Sequence, residues 1–296
     1  MSGVEDMSRA LPVGPLAGRI CVITGGTQGL GEATARVMLG DGASGVLISG
    51  RNAERGKAVR DSLVDSGGVA HFAQADLSDP DDCRSIIQTA DELFGRVDVL
   101  VNAAGSTKRG TILDTTVPDL AELFAINVQA PFILMQDAIA VMLRENIPGS
   151  IVNVSSVVAT GGAPYLCGYS ASKAALNALT KNVAYSVMRH RIRVNAVSPG
   201  WIDTPGEHET RMTFHGASVD WLRDAEVEQP FQRLIKPEEL ARMIAFLAGS
   251  ESGLMTGSIV HFDQTVPGAG DPPQPSWEET IAAPESALVK PIGSAT

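Results

Sequence analysis

Cysteine is scarce in this chain. Three among 296 residues, Cys21, Cys83 and Cys167, are too few and too scattered for a disulfide framework. Cys21 falls inside an apolar run and reads as buried and inert. Basic charge is also short: 23 Lys and Arg against 34 Asp and Glu leave a net charge of −11. That argues against nucleic acid or an anionic membrane as the main partner. The opening MSGVEDMSRALPVGP has no apolar signal core, and no apolar run approaches membrane-spanning length. His208 and His215 have no His, Cys or acidic partner at ligand spacing, so no metal is expected. No internal repeat is present. These absences point to a reducing, cytoplasmic setting.

What is present is ample apolar content, 44% of residues, enough for one large α/β domain or two small ones. Apolar, β-branched runs recur at RICVIT (19–24), GVLIS (45–49), VAHFAQA (69–75), VDVLV (97–101), SIVNVS (150–155), IRVNAV (192–197) and SIVHF (258–262). They read as buried strands. Helical stretches separate them: one from Glu32, then about 52–66, 80–94 (opened by Ser78 and Pro80), 118–146, one beginning near Pro164 to Gly168, and 237–248. Strands alternating with helices predict a doubly wound, parallel, seven-stranded Rossmann-type sheet with helices on both faces. Residues 1–17 read as a loosely held leader. A single domain spans 18–268 and contains a variable lid at about 201–236, and a Pro-rich tail runs over 269–296.

Two places on this frame carry chemistry. The first strand runs at once into Gly25-Gly26-Thr27-Gln28-Gly29-Leu30-Gly31 and a helix, an arrangement that brings backbone amides and a helix N-terminus onto a phosphate. The second is YSASK, which sets Tyr169 and Lys173 four apart on one helix face. A phenol with pKa ~10 is a poor acid–base group at neutral pH, and a neighbouring ammonium is expected to lower it. The strand before that helix ends on two hydroxyls, Ser155 and Ser156. Alone, Tyr-x-x-x-Lys would mean a packed ring and a solvated charge; its setting changes that reading.

From about Leu16 to Gly268 the chain resembles the short-chain dehydrogenase/reductase family in its common single-domain form. Five motifs fall in the family's order: TGGTQGLG at 24–31, NAAG at 102–105, Asn127 in the long helix, Ser156 with YSASK, and SPG at 198–200. The family's active Ser lies 13 residues before its Tyr, which selects Ser156 over Ser155. Its enoyl-reductase branch separates Tyr and Lys by more residues and is disfavoured.

The resemblance implies catalytic roles for Asn127, Ser156, Tyr169 and Lys173. Tyr169 would move the proton, Ser156 would polarise the substrate oxygen, and Lys173 would tune Tyr169 and bind the nicotinamide ribose. Asn127 would hold a water that links Lys173 to solvent; otherwise it is a polar interruption in a long helix. The resemblance likewise implies a dinucleotide on Gly25, Thr27, Gln28, Gly29, Leu30 and Gly31. Asn102, Ala103 and Gly105 would lie under its adenosine ribose, with Asp76 and Leu77 at the adenine. Pro199, Gly200, Ile202 and Thr204 would stand by the nicotinamide. Asp76 reads equally well as a helix-capping residue near Ser78.

Gly50 occupies the place where NAD-binding members carry an acid, and Arg51 follows it, which favours NADP, with NAD the alternative. Trp201, His208, Arg211, Phe214, His215, Trp221 and Arg223 in the lid suit a small polar substrate, although Trp221 and Leu222 read equally well as packing for the lid helix. The function expected is hydride transfer between nicotinamide and an alcohol or carbonyl of a sugar, polyol or ketone. The alternatives are a 3-oxoacyl-carrier-protein reductase and a non-catalytic dinucleotide sensor. The family also implies a homo-oligomer, dimer or tetramer, formed through helices 118–146 and 165–189.

Overall fold

A computed structural model describes residues 14–161 and 163–265. Most of the expected leader, and all of the expected tail, lie outside the described residues. Seven strands form one sheet: β1 (Ile20–Thr24), β2 (Gly45–Gly50), β3 (Ala70–Gln74), β4 (Val99–Asn102), β5 (Ser150–Val154), β6 (Arg193–Pro199) and β7 (Ile259–Phe262). All pairings are parallel, in the order β3-β2-β1-β4-β5-β6-β7. Among the described residues nine α-helices connect and cover them: α1 (Gly29–Gly40), α2 (Ala53–Asp65), α3 (Pro80–Phe94), α4 (Val117–Phe124), α5 (Ala130–Arg144), α6 (Cys167–Val187), α7 (Pro205–His215), α8 (Trp221–Glu228) and α9 (Pro237–Ala248). The order reverses between β1 and β4, so a crevice opens at their carboxyl ends.

Strands buried on both faces need apolar residues throughout, and β1, ICVIT, is buried at all five positions. Two cores result. One packs α1, α2 and α9 on one face through Met38, Leu63 and Ile244; the other packs α3, α5 and α6 on the opposite face through Ile86, Leu134 and Val187. Buried polar groups pin the ends of elements. Asp98 accepts from the Ile20 amide at 2.9 Å and from Arg96 at 2.6 and 2.9 Å, which ties β1 to the start of β4. Arg193 donates to the carbonyls of Leu247, Ala248 and Gly249 at 2.8 to 3.4 Å, capping the end of α9 where the helix dipole is negative.

Three local expectations are corrected. Asp79, not Ser78, caps α3, accepting from the Asp81 amide at 2.9 Å. The long helix expected over 118–146 is broken into α4 and α5 by a π-helical turn, Ala125–Gln129, centred on Asn127. By length and composition the stretch Val117–Arg144 is also apolar enough to cross a membrane, contrary to the sequence reading. Half of that window is buried inside the protein, however, and α5 packs on α3 and β4 as a core helix does.

Candidate active site

The carboxyl ends of β1, β4, β5 and β6 meet in one cleft. β5 ends in an extended Ser155-Ser156 pair. Ser155 is 2% exposed and its hydroxyl has no partner among the described atoms. Ser156 opens the 3-10 turn Val157–Thr160, accepts from the Val158 amide at 3.4 Å, and shares a hydrogen bond with the Tyr169 hydroxyl. Ser156 is therefore the Ser joined to Tyr169, as the spacing expects.

α6 starts at Cys167, so Tyr169 and Lys173 sit in its first two turns. Lys173 is 4% exposed, donates to the Val154 carbonyl at 2.7 Å, and lies 5.8 Å from the centroid of the Tyr169 ring. Burial pulls its pKa down from 10.5 to about 8. The Tyr169 phenol moves the other way, above its ordinary value. Burial is the largest cause and Glu207 adds to it, while the Ser156 hydrogen bond and the Arg109 charge pull back. The expectation that Lys173 sets a lowered phenol is corrected: in this geometry burial wins, and the resting side chain is a neutral acid.

Asn127 is fully buried. Its Oδ1 accepts from the Ser106 amide at 2.9 Å, and its Nδ2 donates to the Ser106 carbonyl at 2.9 Å and to Ser172 Oγ at 3.0 Å. The carboxamide thus locks the loop after β4 to α6, and Gly105 packs against both Asn127 and Lys173.

The glycine-rich turn closes the other end of the cleft. Gly25 has φ +68°, and a Cβ there would lie 2.9 Å from Ala104 Cα, so glycine is required on both counts. Thr24 Oγ1 accepts from the Ala104 amide at 3.2 Å, holding the turn beside Ala103 and Gly105. Thr204 caps α7, accepting from the Glu207 amide at 3.1 Å, and its methyl stands over Gly29.

A family model described as Enoyl-(Acyl carrier protein) reductase matches residues 25–265. The chain belongs to the short-chain dehydrogenase/reductase family. It is 37% identical over 246 residues to an uncharacterized oxidoreductase of Thermotoga maritima, covering 83% of this chain and 96% of that one. It is 33% identical over 252 residues to the 3-oxoacyl-[acyl-carrier-protein] reductase of the same organism, covering 84% and 97%. Its fold matches a solved actinorhodin polyketide ketoreductase with NADPH at a TM-score of 0.78 and 26% identity, over 83% and 96% of the two chains.

The cleft of this oxidoreductase fits a dinucleotide. Asn102 is buried at the end of β4 and donates to Asn153 at 2.8 Å, but its Oδ1 lacks a partner. The turn from Gly25 to Gly31 leads into the N-terminus of α1, with Leu30 buried beneath it. Arg51 and Asp76 stand at the ends of β2 and β3, near enough for the Arg51 charge to favour the carboxylate. Asp76 is not a helix cap: its Oδ1 accepts the Ser78 amide at 2.9 Å and the Ser78 hydroxyl at 2.8 Å, which chiefly holds its pKa below the ordinary carboxylate value. Leu77 packs beside Cys83 and Ile133. Pro199 ends β6, Gly200 donates its amide to Phe262 at 3.0 Å, and Ile202 pairs with Ile235 at the base of the lid.

Two residues near the reacting hydroxyls were not singled out from sequence, Arg109 and Glu207. Arg109 sits in the patternless loop after β4, with its guanidinium 6.0 Å from the Tyr165 ring centroid. Glu207 follows Thr204 at capping-box spacing, the one signal that could have flagged it. Its carboxylate turns elsewhere, accepting from Trp201 Nε1 at 2.9 Å and Arg211 Nε at 3.0 Å, with Arg109 at 3.9 Å. Arg211 lies 4.0 Å over the Trp201 ring. Trp221 packs on Trp201, Ala225 and Leu234, the packing role foreseen for it. His208 pairs with Asp203 at 2.9 Å, while Phe214 and Arg223 are exposed. Among the described residues no group of three His, Cys, Asp or Glu side chains is placed to hold a metal.

Proposed function

We propose that this oxidoreductase is an NADP(H)-preferring alcohol dehydrogenase or carbonyl reductase acting on a small polar substrate such as a sugar, polyol or ketone. The observation that carries this is the Ser156–Tyr169 hydrogen bond, with Lys173 buried one turn along the same helix. A bound nicotinamide cofactor supplies or accepts the hydride. Ser156 donates to the substrate oxygen and orients it. Tyr169, neutral because burial raises its pKa, gives that oxygen its proton in reduction and takes it back in oxidation. The Lys173 ammonium, 5.8 Å from the centre of the Tyr169 ring, would supply positive charge on the side of the phenolate left behind. Asn127 has its carboxamide committed to Ser106 and Ser172. The backbone of the π turn is then the part that would hold a relay water.

The cofactor would lie along Thr27, Gln28, Gly29, Asn102 and Gly105, with Lys173 on its nicotinamide ribose. Asp76 keeps one oxygen for the adenine amine. The Thr204 oxygen already accepts an amide, so its hydroxyl hydrogen remains for the nicotinamide carboxamide. NADP is favoured at the end of β2. A Cβ on Gly50 would lie 2.7 Å from Thr27 Cγ2, so an acid reaching for ribose hydroxyls from there would first have to displace the Thr27 side chain. Arg51 beside it is exposed and suited to a 2′-phosphate. The relative solved with NADPH agrees with this choice.

The 33% identity to a 3-oxoacyl-[acyl-carrier-protein] reductase supports that activity as the second reading. The chain's net charge of −11 works against it, because an acidic carrier protein seeks a basic docking face. Comparing free ketones and polyols with carrier-bound 3-oxoacyl groups separates the two. Tyr169→Phe tests the chemistry itself: NADPH binding by fluorescence should persist, and turnover should fall about a hundredfold or more. Near-normal turnover in the folded variant would remove the assignment and leave room for a dinucleotide sensor.

A further inference from the structure

One basic side chain at the mouth of the cofactor cleft has no role so far. Arg55 is the third residue of α2, and its amide is fixed by the Asn52 cap at 2.9 Å. Its exposed guanidinium turns back across the end of β2 and donates through Nη1 to Gln28 Oε1. Gln28 stands at the N-cap of α1 but makes no capping bond with its side chain. Its amide nitrogen reaches the first turn of α7, next to Gly206. Thr27, Gln28, Arg55, Ala58, Val59 and Pro205 border a cleft of about 440 Å³ beside the glycine-rich turn.

Charge balance there is favourable. Glu32 shares the cleft but is engaged by Arg36, at 2.7 and 3.1 Å, so the acid nearest on α1 does not neutralise Arg55. Arg51 precedes the cap residue, and its backbone is held by Gln74 through a 3.1 Å hydrogen bond to the Arg51 carbonyl. Arg51 and Arg55 therefore leave the same short segment, 51–55, on either side of Asn52. Gly50, directly before that segment, has no side chain between it and Thr27 of the glycine-rich turn, which leaves space beside Arg51 and Arg55 for the phosphate-bearing ribose. A dianionic phosphate on that ribose is better held by two guanidiniums than by one.

We infer that Arg55, oriented by Gln28, is the second cationic ligand for the 2′-phosphate of NADP(H) and shares it with Arg51. The inference rests on the NADP reading above. Gln28 is the neutral tether, and the charge comes from the first turn of α2.

Binding of 2′,5′-ADP and 5′-ADP, followed by calorimetry, tests this without nicotinamide chemistry. Wild-type protein should prefer 2′,5′-ADP. Arg55→Ala should weaken 2′,5′-ADP about tenfold to a hundredfold and leave 5′-ADP unchanged. Gln28→Ala should give a smaller loss of 2′,5′-ADP affinity than Arg55→Ala does, because the charge remains and only its orientation is lost. Arg55 is exposed, so thermal unfolding of the variants should match wild type. Equal weakening of both nucleotides by Arg55→Ala, or none of either, overturns the inference while NADP stands. Wild-type protein that binds both nucleotides alike removes the NADP reading and this inference together.

Discussion

Lys173 carries its charge where burial works against it. The fall from 10.5 to about 8 corresponds to an upper bound of about 3 kcal/mol against the charged form. The sign follows from proton counting. Between about pH 8 and 10.5 the unfolded chain keeps the lysine proton and the folded chain has lost it, so this group makes stability rise with pH in that window. Tyr169 acts above it: its folded pKa is raised, so the stability it contributes is lost as pH climbs past ~10 towards the folded value. Urea unfolding of wild type and Lys173→Met from pH 7 to 10 should show the wild type gaining on the variant by up to about 2 kcal/mol. A constant difference between the two would show that Lys173 titrates as an exposed lysine. At this scale the sequence shows the clustering of the candidate residues well, because Ser156, Tyr169 and Lys173 stand at spacings that a strand end and a helix convert directly into proximity. It does not show the sign of the phenol's shift. That depends on how deeply the ring is buried, which long-range packing decides, and the same holds for Arg109 and Glu207.

The π turn at Ala125–Gln129 is the element where local pattern and tertiary demand part company. Apolar periodicity runs on through Asn127, so 118–146 reads as one helix, and nothing local calls for an extra residue in a turn. The demand comes from Ser106 and Ser172, whose groups the Asn127 carboxamide satisfies from inside the fold. Widening one turn admits that side chain between two elements. Asn127→Ala would leave the part-buried Ser106 amide and carbonyl without these bonds and open a void at a fully buried position. A loss of about 2–4 kcal/mol is expected in chemical denaturation, with reduced turnover. An unchanged midpoint would mean that the loop after β4 is held by other bonds. The start of α3 teaches a smaller lesson. Ser78, Asp79 and Pro80 all signal a helix start, and which oxygen reaches the amides is settled only by the backbone geometry of the turn.

At the scale of the whole molecule, α4, α5 and α6 keep apolar side chains outside the two cores. Phe124, Phe132, Leu143 and Tyr185 are all at least a third exposed, as is Met188 in the turn after α6. That is more than a solvent face needs, and we propose that these helices join subunits into a homotetramer. Light scattering at micromolar concentration should give four times the chain mass, and Phe132→Asp with Tyr185→Asp should lower it. A monomeric wild type would overturn the assembly. The sheet was legible almost to the residue because strands buried on both faces admit little but apolar side chains. The lid expected over 201–236 was legible only as an interval, because the bends that bring its own apolar residues together follow no regular period. That packing has a further consequence. Trp221, Ala225 and Leu234 close on Trp201, Ala217 and Leu222 as a small apolar cluster of their own, apart from both faces of the sheet. Trp201 also donates to Glu207, whose charge acts on the Tyr169 phenol, so a change in that cluster reaches the site through one carboxylate.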